Sequence, residues 1–345
     1  MATYSELLSD AWLDHKKPKA DDAPTVVSTF AGAGGSTLGY SMAGYKELMA
    51  VEWEDHAASC YKRNFPHVNL FHGDIAKVDP QSLGLAPGEL DVFDGSPPCQ
   101  GFSRSGKRDI NDPRNQLFRE FVRLLDAWQP KVFVMENVAA MAQGNTRPLF
   151  LEILKTLRRS GYRVSARILD ASLLGVPQKR KRMIFIGVRA DLNIDPPFPK
   201  PQSRIFTVRD AIFDIPEAEL GSNIPISPKV EAITKAMPQG KNMANLMNDA
   251  GLKGYGFGLV RLRQDAPSNT LIKKISSSRG YLHPTKNRFI SSREASRIQS
   301  FPDEYDWGNS NYTKIMARLG NSVPPLMMRA IAETIETEVL QKVKG

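Results

Sequence analysis

The chain has 345 residues, enough for one large or two medium domains with a sizeable core. Its two cysteines, Cys60 and Cys99, form no CxxC pair, which argues against a disulfide framework or a zinc site and fits a reducing cytosol. The N-terminus is polar without signal-peptide character, and no apolar run approaches the length of a membrane span. We therefore expect a cytoplasmic protein that does not cross a membrane.

The net charge of +9 is unevenly spread along the chain. Residues 155–189 carry a net +9 and residues 253–288 a net +7, which leaves a net −7 for the remainder. Two basic segments on an otherwise acidic body indicate a polyanionic partner such as nucleic acid. The alternative is a pair of solvated helix faces and loops.

Short β-rich runs alternate with helical patterns in the first half of the chain. The predicted strands cover residues 25–30, 47–52, 90–95, 131–137, 163–170 and 182–188, and helical patterns cover 114–128 and 148–160. Such alternation is typical of an α/β fold. We predict a Rossmann-like, mostly parallel open sheet with helices on both faces.

The composition changes after residue 189. A proline-rich stretch is followed, up to about residue 280, by a segment rich in Gly, Pro, Asn and Ser without a clear period. Helical patterns then return near the C-terminus. The sequence predicts an N-terminal extension (1–24), an α/β domain (25–190), a smaller irregular domain (191–282) and a segment that returns to the α/β domain (283–345).

The stretch FAGAGGSTLGY, residues 30–40, follows the first predicted strand and opens a helix. Gly32, Gly34 and Gly35 let the backbone approach a ligand and direct N–H groups at it. Unlike in the dinucleotide fingerprint, the third of these glycines directly follows the second. A plain tight turn is the alternative.

Acidic residues follow the second and third strand positions. Glu52, 20 positions after Gly32, can accept hydrogen bonds from ribose hydroxyls. Trp53 can stack on an adenine ring or simply cap the sheet, and Asp74 can accept from an adenine amino group. Three adenosine-type contacts without a pyrophosphate-type glycine pattern favour S-adenosylmethionine over a nicotinamide cofactor.

The segment SPPCQGFS, residues 96–103, follows the predicted buried strand at 90–95. Its two prolines stiffen the backbone before Cys99 and remove two N–H donors. A cysteine at such a rigid strand-to-loop corner is placed like a nucleophile, with a buried structural thiol as the alternative.

Charged candidates follow the later strands. We expect Glu136, just past an apolar strand, at the carboxyl edge of the sheet beside Cys99, where ligands bind in such folds. A surface-loop carboxylate is the alternative. In QKRKR, residues 178–182, alternation places Arg180 and Arg182 on one strand face, where they can pair with Glu136 or a phosphate. A polybasic surface strand is the alternative.

In their order along the chain, these motifs closely resemble those of the C5-cytosine DNA methyltransferase family. The motifs are FAGAGG, Glu52–Trp53, Asp74, SPPCQGFS, ENV (136–138), QKRKR, REASRIQSFPD (293–303) and GNSVPP (320–325). Residues 191–265 match no pattern that we can name. In this family the corresponding segment is the target-recognition region, so the domain at 191–282 is expected to read DNA.

The resemblance implies transfer of a methyl group from S-adenosylmethionine to carbon 5 of a cytosine in double-stranded DNA. The Cys99 thiolate would add to carbon 6, Glu136 would hold ring nitrogen 3 and Arg182 would donate to the carbonyl oxygen. Arg180 is the fourth predicted catalytic residue. The base would be flipped out of the duplex, and the loop at 103–115 would close over it.

The resemblance also implies a cofactor pocket; DNA contacts are expected from the basic segment at 253–288 and from the stretch after Cys99, and no metal site is expected. The cofactor residues are Phe30, Gly32, Ala33, Gly35, Glu52, Trp53, Asp74, Ile75, Pro98, Leu117, Asn321 and Val323. The DNA-binding residues are Gln100, Ser103, Ser105, Thr270, Lys273, Lys274 and Arg288. We expect a nucleoid-associated monomer, with a restriction endonuclease acting on the same site as a candidate partner.

Other functions remain open at this point. The related tRNA cytosine methyltransferases share most motifs, but they usually carry Pro-Phe-Thr after the Cys-Gln pair, where residues 101–103 read Gly-Phe-Ser. A non-catalytic DNA-binding regulator is disfavoured by the intact Cys99, Glu136 and Arg182. A nicotinamide oxidoreductase is disfavoured by the glycine spacing.

Overall fold

The computed structural model describes residues 2–98, 116–249 and 258–344. Its contacts divide the chain into two units. The sheet unit comprises Leu13–Asp170, Lys181–Pro201 and Pro325–Gly345, and the mixed unit comprises Met1–Trp12, Ala171–Arg180 and Gln202–Pro324. Helix α1 (Tyr4–Lys16) contributes residues to both.

A seven-stranded sheet forms the centre of the sheet unit. The first strands of the chain are β1 (Thr25–Thr29), β2 (Lys46–Glu52), β3 (Asn69–His72), β4 (Val92–Gly95), β5 (Val132–Val138), β6 (Tyr162–Asp170), β7 (Gln178–Lys179) and β8 (Lys181–Arg189). Without β7, they form one sheet in the order β3–β2–β1–β4–β5–β8–β6. The first five are parallel, and β8 is antiparallel to β5 and β6. The parallel strands therefore end at one shared edge.

Apolar side chains of the central strands form the core of this unit. The helices after β1, β2, β4 and β5 are, in chain order, α2 (Gly35–Met42), α3 (Asp55–Asn64), α4 (Gln116–Trp128) and α5 (Arg147–Arg159). Val27, Phe93 and Phe133 are fully buried and cluster with Phe121 of α4. The Phe93 and Phe121 rings stack with centroids 4.5 Å apart. Burying each such side chain contributes about 1.5–3 kcal/mol, so the core holds the strand ends in place.

The mixed unit contains two small parallel sheets and short helices. Strand β7 pairs with β10 (Ser268–Asn269), and β9 (Gly258–Arg261) pairs with β11 (Arg279–Leu282). The helices are α6 (Val208–Ile212), α7 (Pro228–Ala236), α8 (Met243–Asp249), α9 (Ser292–Ile298) and α10 (Tyr312–Asn321). Val230, Met243, Leu259, Leu282 and Phe289 form its small apolar core.

Buried amides link three of the sequence motifs within the mixed unit. Gln178 of QKRKR accepts from the Leu271 N–H at 2.9 Å and donates to the side chain of Gln299 in RIQSF. Gln299 donates to the carbonyl of Ser322 in GNSVPP at 2.8 Å. Both amides are fully buried, and leaving one unpaired would cost about 1–3 kcal/mol. These motif positions therefore stabilise the fold.

The chain returns to the sheet unit at its C-terminus. Helix α11 (Pro325–Ile335) is followed by a π-helical turn (Glu336–Leu340) and α12 (Gln341–Lys344). Helix α11 packs so closely on α2 that a Cβ on Gly39 would collide with Met328. The last helical pattern of the sequence therefore completes the layer over the first strands.

The structure confirms the predicted fold class, a mostly parallel α/β sheet with a smaller irregular unit. The two units differ from the predicted domain boundaries in that residues 171–180 and 283–324 group with the mixed unit, and residues 191–201 with the sheet unit. The functional division between the domains stays a prediction. No helix in the described ranges is long and apolar enough to cross a membrane.

Candidate active site

The glycine-rich loop leaves β1 through backbone conformations that favour glycine. Gly32 has a φ of 58° and Gly34 a φ of 84°, both in the left-handed region. A Cβ on Gly34 would collide with the ring of Phe65, whereas a Cβ on Gly32 would meet no atom within 4 Å. Gly34 therefore seats the loop on the protein, and Gly32 leaves an open backbone surface.

The carboxylate of Glu52 fixes this loop. It accepts hydrogen bonds from the backbone N–H of Gly32 at 2.7 Å, of Trp53 at 2.9 Å and of Glu54 at 2.8 Å. A carboxylate has about four acceptor positions, so one remains for a hydroxyl of a ligand. Gly32 and Glu52, which are 20 residues apart in the sequence, are therefore in direct contact at the ends of neighbouring strands.

An exposed indole and a second carboxylate follow at the same edge of the sheet. The side chain of Trp53 is 77 % exposed, which is unusual for so large an apolar group. Asp74 is exposed and accepts from the Ala76 N–H at 3.0 Å, and the neighbouring Ile75 is buried. An open aromatic face beside carboxylates fits an adenosine group.

The other predicted cofactor residues occupy varied positions. In the sheet unit Phe30 is half-buried with a φ of 55°, Ala33 is buried, Gly35 begins α2, and Pro98 and Leu117 are half-buried. In the mixed unit Asn321 is exposed at the end of α10, and Val323 is buried.

Glu136 and Arg182 form an ion pair at the carboxyl end of β5. Arg182 Nε lies 2.7 Å from Glu136 Oε1, and both side chains are largely buried, at 14 % and 13 % exposure. In the antiparallel register Val138 lies opposite Arg182, so the pair reaches diagonally across the two strands. The site thus presents a hydrogen-bond donor and a carboxyl group together.

Arg180 occupies a different environment, contrary to the expectation that it shares a strand face with Arg182. Strand β7 ends at Lys179 and β8 begins at Lys181, so Arg180 lies between two strands of different sheets. Its side chain is 1 % exposed, and Nη2 donates to the Gly320 carbonyl at 3.0 Å. The alternation rule failed because the apparent strand is interrupted.

Asn137 is a site residue that the sequence reasoning missed. It is buried, and its Nδ2 donates to the carbonyl of Pro97 at 3.0 Å while its Oδ1 accepts from the Val138 N–H at 2.8 Å. It therefore joins the end of β5 to the segment that follows β4. The only sequence signal was the position of this amide directly after Glu136 at a strand end.

Two carboxyl groups lie buried on either side of β1, in β4 and β2. Burial raises the pKa of Asp94 from 3.8 to about 8, an effect that Ser36 opposes and Glu136 reinforces. Burial also raises the pKa of Glu47 well above its ordinary value, against hydrogen bonding from Ser28. Both groups hold a proton at pH values where exposed carboxyls have released theirs.

The predicted DNA contacts of the mixed unit fall into two groups. Lys273 and Lys274 are exposed. Thr270 donates to the Lys179 carbonyl at 2.7 Å, and Arg288 is bound through both Nη atoms to Glu294 at 2.7 and 2.8 Å. The two lysines are free to meet phosphates, whereas the Arg288 pairing favours a structural role. Cys99, Gln100, Ser103 and Ser105 lie outside the described residues.

Comparison with known proteins gives consistent matches. A family model described as C-5 cytosine-specific DNA methylase matches residues 25–337. The Type II methyltransferase M1.HphI of Haemophilus parahaemolyticus is 35 % identical over 327 residues, which cover 90 % of this chain and 86 % of that protein. M.DdeI of Desulfomicrobium norvegicum is 32 % identical over 365 residues, covering 90 % and 88 %.

Solved structures share the fold. The Entamoeba histolytica methyltransferase EhMeth superposes with a TM-score of 0.68 at 18 % identity, over 94 % of this chain and 100 % of that chain. A structure from Spodoptera frugiperda, a DNMT2 mutant, gives a TM-score of 0.62 at 22 % identity, over 94 % and 100 %.

The fold and the family match together define an α/β methyltransferase. The chain belongs to the C-5 cytosine-specific DNA methylase family. It is a DNA cytosine-5 methyltransferase, and enzymes of this family generally use S-adenosylmethionine as the methyl donor.

Proposed function

We propose that the chain methylates carbon 5 of a flipped-out cytosine in a specific duplex DNA sequence, through a covalent adduct with Cys99. The Glu136–Arg182 ion pair carries this proposal, because Glu136 lies near the carboxyl end of β5, and β5 pairs with β4. Strand β4 leads into SPPCQGFS, so the candidate nucleophile follows the neighbouring strand end. The Pro97 carbonyl held by Asn137 supports the same placement.

Carbon 5 of cytosine is a poor nucleophile, so the chain has to activate it. The Cys99 thiolate adds to carbon 6, forming a carbon–sulfur bond and pushing an electron pair toward carbon 5. Glu136 holds or protonates ring nitrogen 3, and Arg182 donates to the carbonyl oxygen, so both stabilise the charge that develops on the ring. Loss of the carbon 5 proton to a base after methylation restores the double bond and expels the thiolate.

The glycine loop and the next two strand ends hold the cofactor. S-adenosylmethionine, when bound, would supply the electrophilic methyl group that carbon 5 takes up; the sulfonium sulfur would keep the electron pair of the broken bond, which leaves S-adenosylhomocysteine. Glu52 keeps an acceptor position for a ribose hydroxyl, and Gly32 leaves an open backbone surface. The exposed indole of Trp53 offers a stacking face for adenine, and Asp74 accepts from its amino group.

A base inside a duplex is out of reach, so the target cytosine is flipped out and the loop at 103–115 closes over it. Residues 191–282 read the flanking sequence, with phosphate contacts from Lys273 and Lys274. The names of the Type II relatives favour a restriction–modification system with an endonuclease acting on the same site.

Sequencing that distinguishes 5-methylcytosine from cytosine, in DNA from cells expressing the chain, tests this proposal. We expect full methylation of one cytosine within a short defined sequence and none in cells expressing Cys99→Ser. Methylation by Cys99→Ser at the wild-type level would contradict the covalent mechanism. No methylated cytosine with the wild-type chain would contradict the proposed function itself.

A further inference from the structure

A cavity of about 590 Å³ opens on the mixed unit, and none of the residues of the catalytic proposal is among those that line it. Its lining includes Lys241, Asn242, Asn245, Leu246, Val260 and Asn269. Three side-chain amides and an ammonium group thus share one cavity with two aliphatic side chains. All of these residues except Asn269 lie in the segment 191–265, which matches no pattern that we can name.

Regular backbone pairing builds this cavity. The chain at residues 240–242 runs along β9, with Gly240 N–H donating to the Arg261 carbonyl at 2.8 Å and Arg261 N–H donating to the Lys241 carbonyl at 3.1 Å. Asn242 bridges to Val260 of β9 in antiparallel fashion. Helix α8 starts one residue later and supplies Asn245 and Leu246. The cavity therefore has a fixed frame that can position its side chains.

The three asparagine side chains differ in whether they already form hydrogen bonds to the protein. Asn242 Oδ1 accepts from the Ala244 N–H at 2.9 Å, so this side chain caps the start of α8. Asn245 and Asn269 are exposed, and within the described ranges their side chains form no hydrogen bond to the protein. Each keeps a donor and an acceptor available for a ligand.

This combination matches the edge of an A·T base pair. An asparagine amide can form two hydrogen bonds to adenine, and aliphatic side chains contact the methyl group of thymine. Leu246 and Val260 supply such aliphatic surface, and Lys241 can meet a phosphate. The exposed Lys273 and Lys274, in the basic segment at 253–288, make polyanionic DNA a better partner than a small neutral ligand.

We propose that this amide-lined cavity determines sequence specificity by binding the major-groove edge of an A·T pair in the target site, with Asn245 and Asn269 as the contacting side chains. The inference rests on the proposed function, because it concerns the DNA sequence surrounding the methylated cytosine. It assigns specificity to Asn245, within the unmatched segment 191–265, and to Asn269, which follows that segment.

The test expresses Asn245→Ala and Asn269→Ala with a library of plasmids carrying randomised sites and measures methylation at every cytosine. We expect at least one variant to lose its preference at a single A·T position by roughly 5- to 150-fold, with the other positions of the site unchanged. Asn309→Ala, an exposed asparagine of the same unit outside the cavity, is the matched control and should keep the wild-type preference.

Asn245→Asp and Asn269→Asp keep the side-chain shape but remove the donor, so they should disfavour adenine where the alanine variants become indifferent. If a variant is inactive, its thermal midpoint and its relative affinity for matched and mismatched duplexes are measured instead. Wild-type preference in both alanine variants would overturn the cavity assignment while leaving the proposed function intact. A wild-type chain that methylates no defined sequence would overturn the proposed function first.

Discussion

Trp53 provides a direct test of the cofactor site at the level of a single residue. Its indole lies beside Glu52 and is 77 % exposed, so the ring contributes little to the packing of the fold. We expect Trp53→Ala to weaken S-adenosylmethionine binding by about 1–3 kcal/mol, the scale of stacking a base on an aromatic ring. Isothermal titration calorimetry measures this. Unchanged affinity, with wild-type binding by a Leu13→Ala control that also removes an exposed apolar side chain, would make Trp53 a surface residue only.

Asp94 makes a prediction about pH. Its pKa is about 8 in the folded chain and about 3.8 in the unfolded chain, so between these values the folded chain keeps a proton that the unfolded chain has lost. The contribution of Asp94 to the free energy of unfolding therefore falls as the pH rises from about 4 to about 8 and is constant above that.

Asp94→Asn has no such proton to lose, so its free energy of unfolding should not fall in this way. We expect the stability of the variant relative to wild type to rise by a few kcal/mol from pH 5 to pH 8, at about 1.4 kcal/mol for each pH unit. Urea unfolding at several pH values measures the difference. The exposed Asp10→Asn serves as the control. A stability difference between Asp94→Asn and wild type that does not change with pH would show that Asp94 is not protonated in the folded chain.

Sequence reasoning identified Glu52 and the Glu136–Arg182 pair, because acids and bases at strand ends of a parallel sheet meet at one edge. It missed Asn137 and Asp94 for a physical reason. The role of Asn137 depends on its hydrogen bond to the Pro97 carbonyl, and the raised pKa of Asp94 depends on its burial; only the folded structure shows either feature. Arg180 was misplaced because a two-residue strand cannot be distinguished from the start of the next one.

At the scale of elements, the start of α2 depends on the conformation of Gly34. An alanine at position 34 would be destabilising for two reasons: its φ of 84° would be strained, and its Cβ would collide with Phe65. We expect Gly34→Ala to lower the free energy of unfolding by more than the roughly 1–3 kcal/mol of backbone strain alone, and to weaken cofactor binding as the loop shifts. Thermal and chemical unfolding measure the first effect.

Gly84→Ala is the matched control, because Gly84 has a φ of 64° but a Cβ there would meet no atom within 4 Å. It should show the backbone strain without the collision and leave cofactor binding unchanged. Equal destabilisation by the two substitutions would mean that Phe65 yields freely and that the loop is less tightly seated than its contacts indicate.

The elements were predicted unevenly from the sequence. The strands around β1, β4 and β5 were evident, because a buried parallel strand is a continuous apolar run bounded by turns. The N-terminal extension proved to contain α1, with Tyr4, Leu8 and Ala11 buried on one side of an otherwise polar helix. Strands β7 and β10 have two residues each, so their pairing leaves no periodic pattern in the sequence.

At the scale of the whole molecule, the uneven charge should govern DNA affinity. Lys273 and Lys274 are exposed in the basic segment of the mixed unit. Replacing both by alanine should weaken binding to all duplexes alike and reduce the slope of log affinity against log salt by at most about 1.8, at roughly 0.9 per lost phosphate contact. Fluorescence anisotropy over a range of salt concentrations measures this slope.

The double substitution Lys229→Ala and Lys314→Ala removes the same charge from other exposed positions of the mixed unit. This control variant should change the slope of log affinity against log salt less than replacement of Lys273 and Lys274 does. An equal effect of the two double variants would assign the affinity to net charge alone, and an effect confined to one DNA sequence would make Lys273 and Lys274 base contacts.

The central claim, a covalent route through Cys99, is tested most directly by trapping the intermediate. In DNA containing 5-fluorocytosine, fluorine cannot leave as a cation, so the thiolate cannot be expelled after methylation. We expect wild-type chain, DNA and S-adenosylmethionine to form an adduct that survives denaturation, with a mass equal to protein plus methylated DNA. Cys99→Ser should form none. An adduct with the serine variant, or none with an active wild-type chain, would contradict the account.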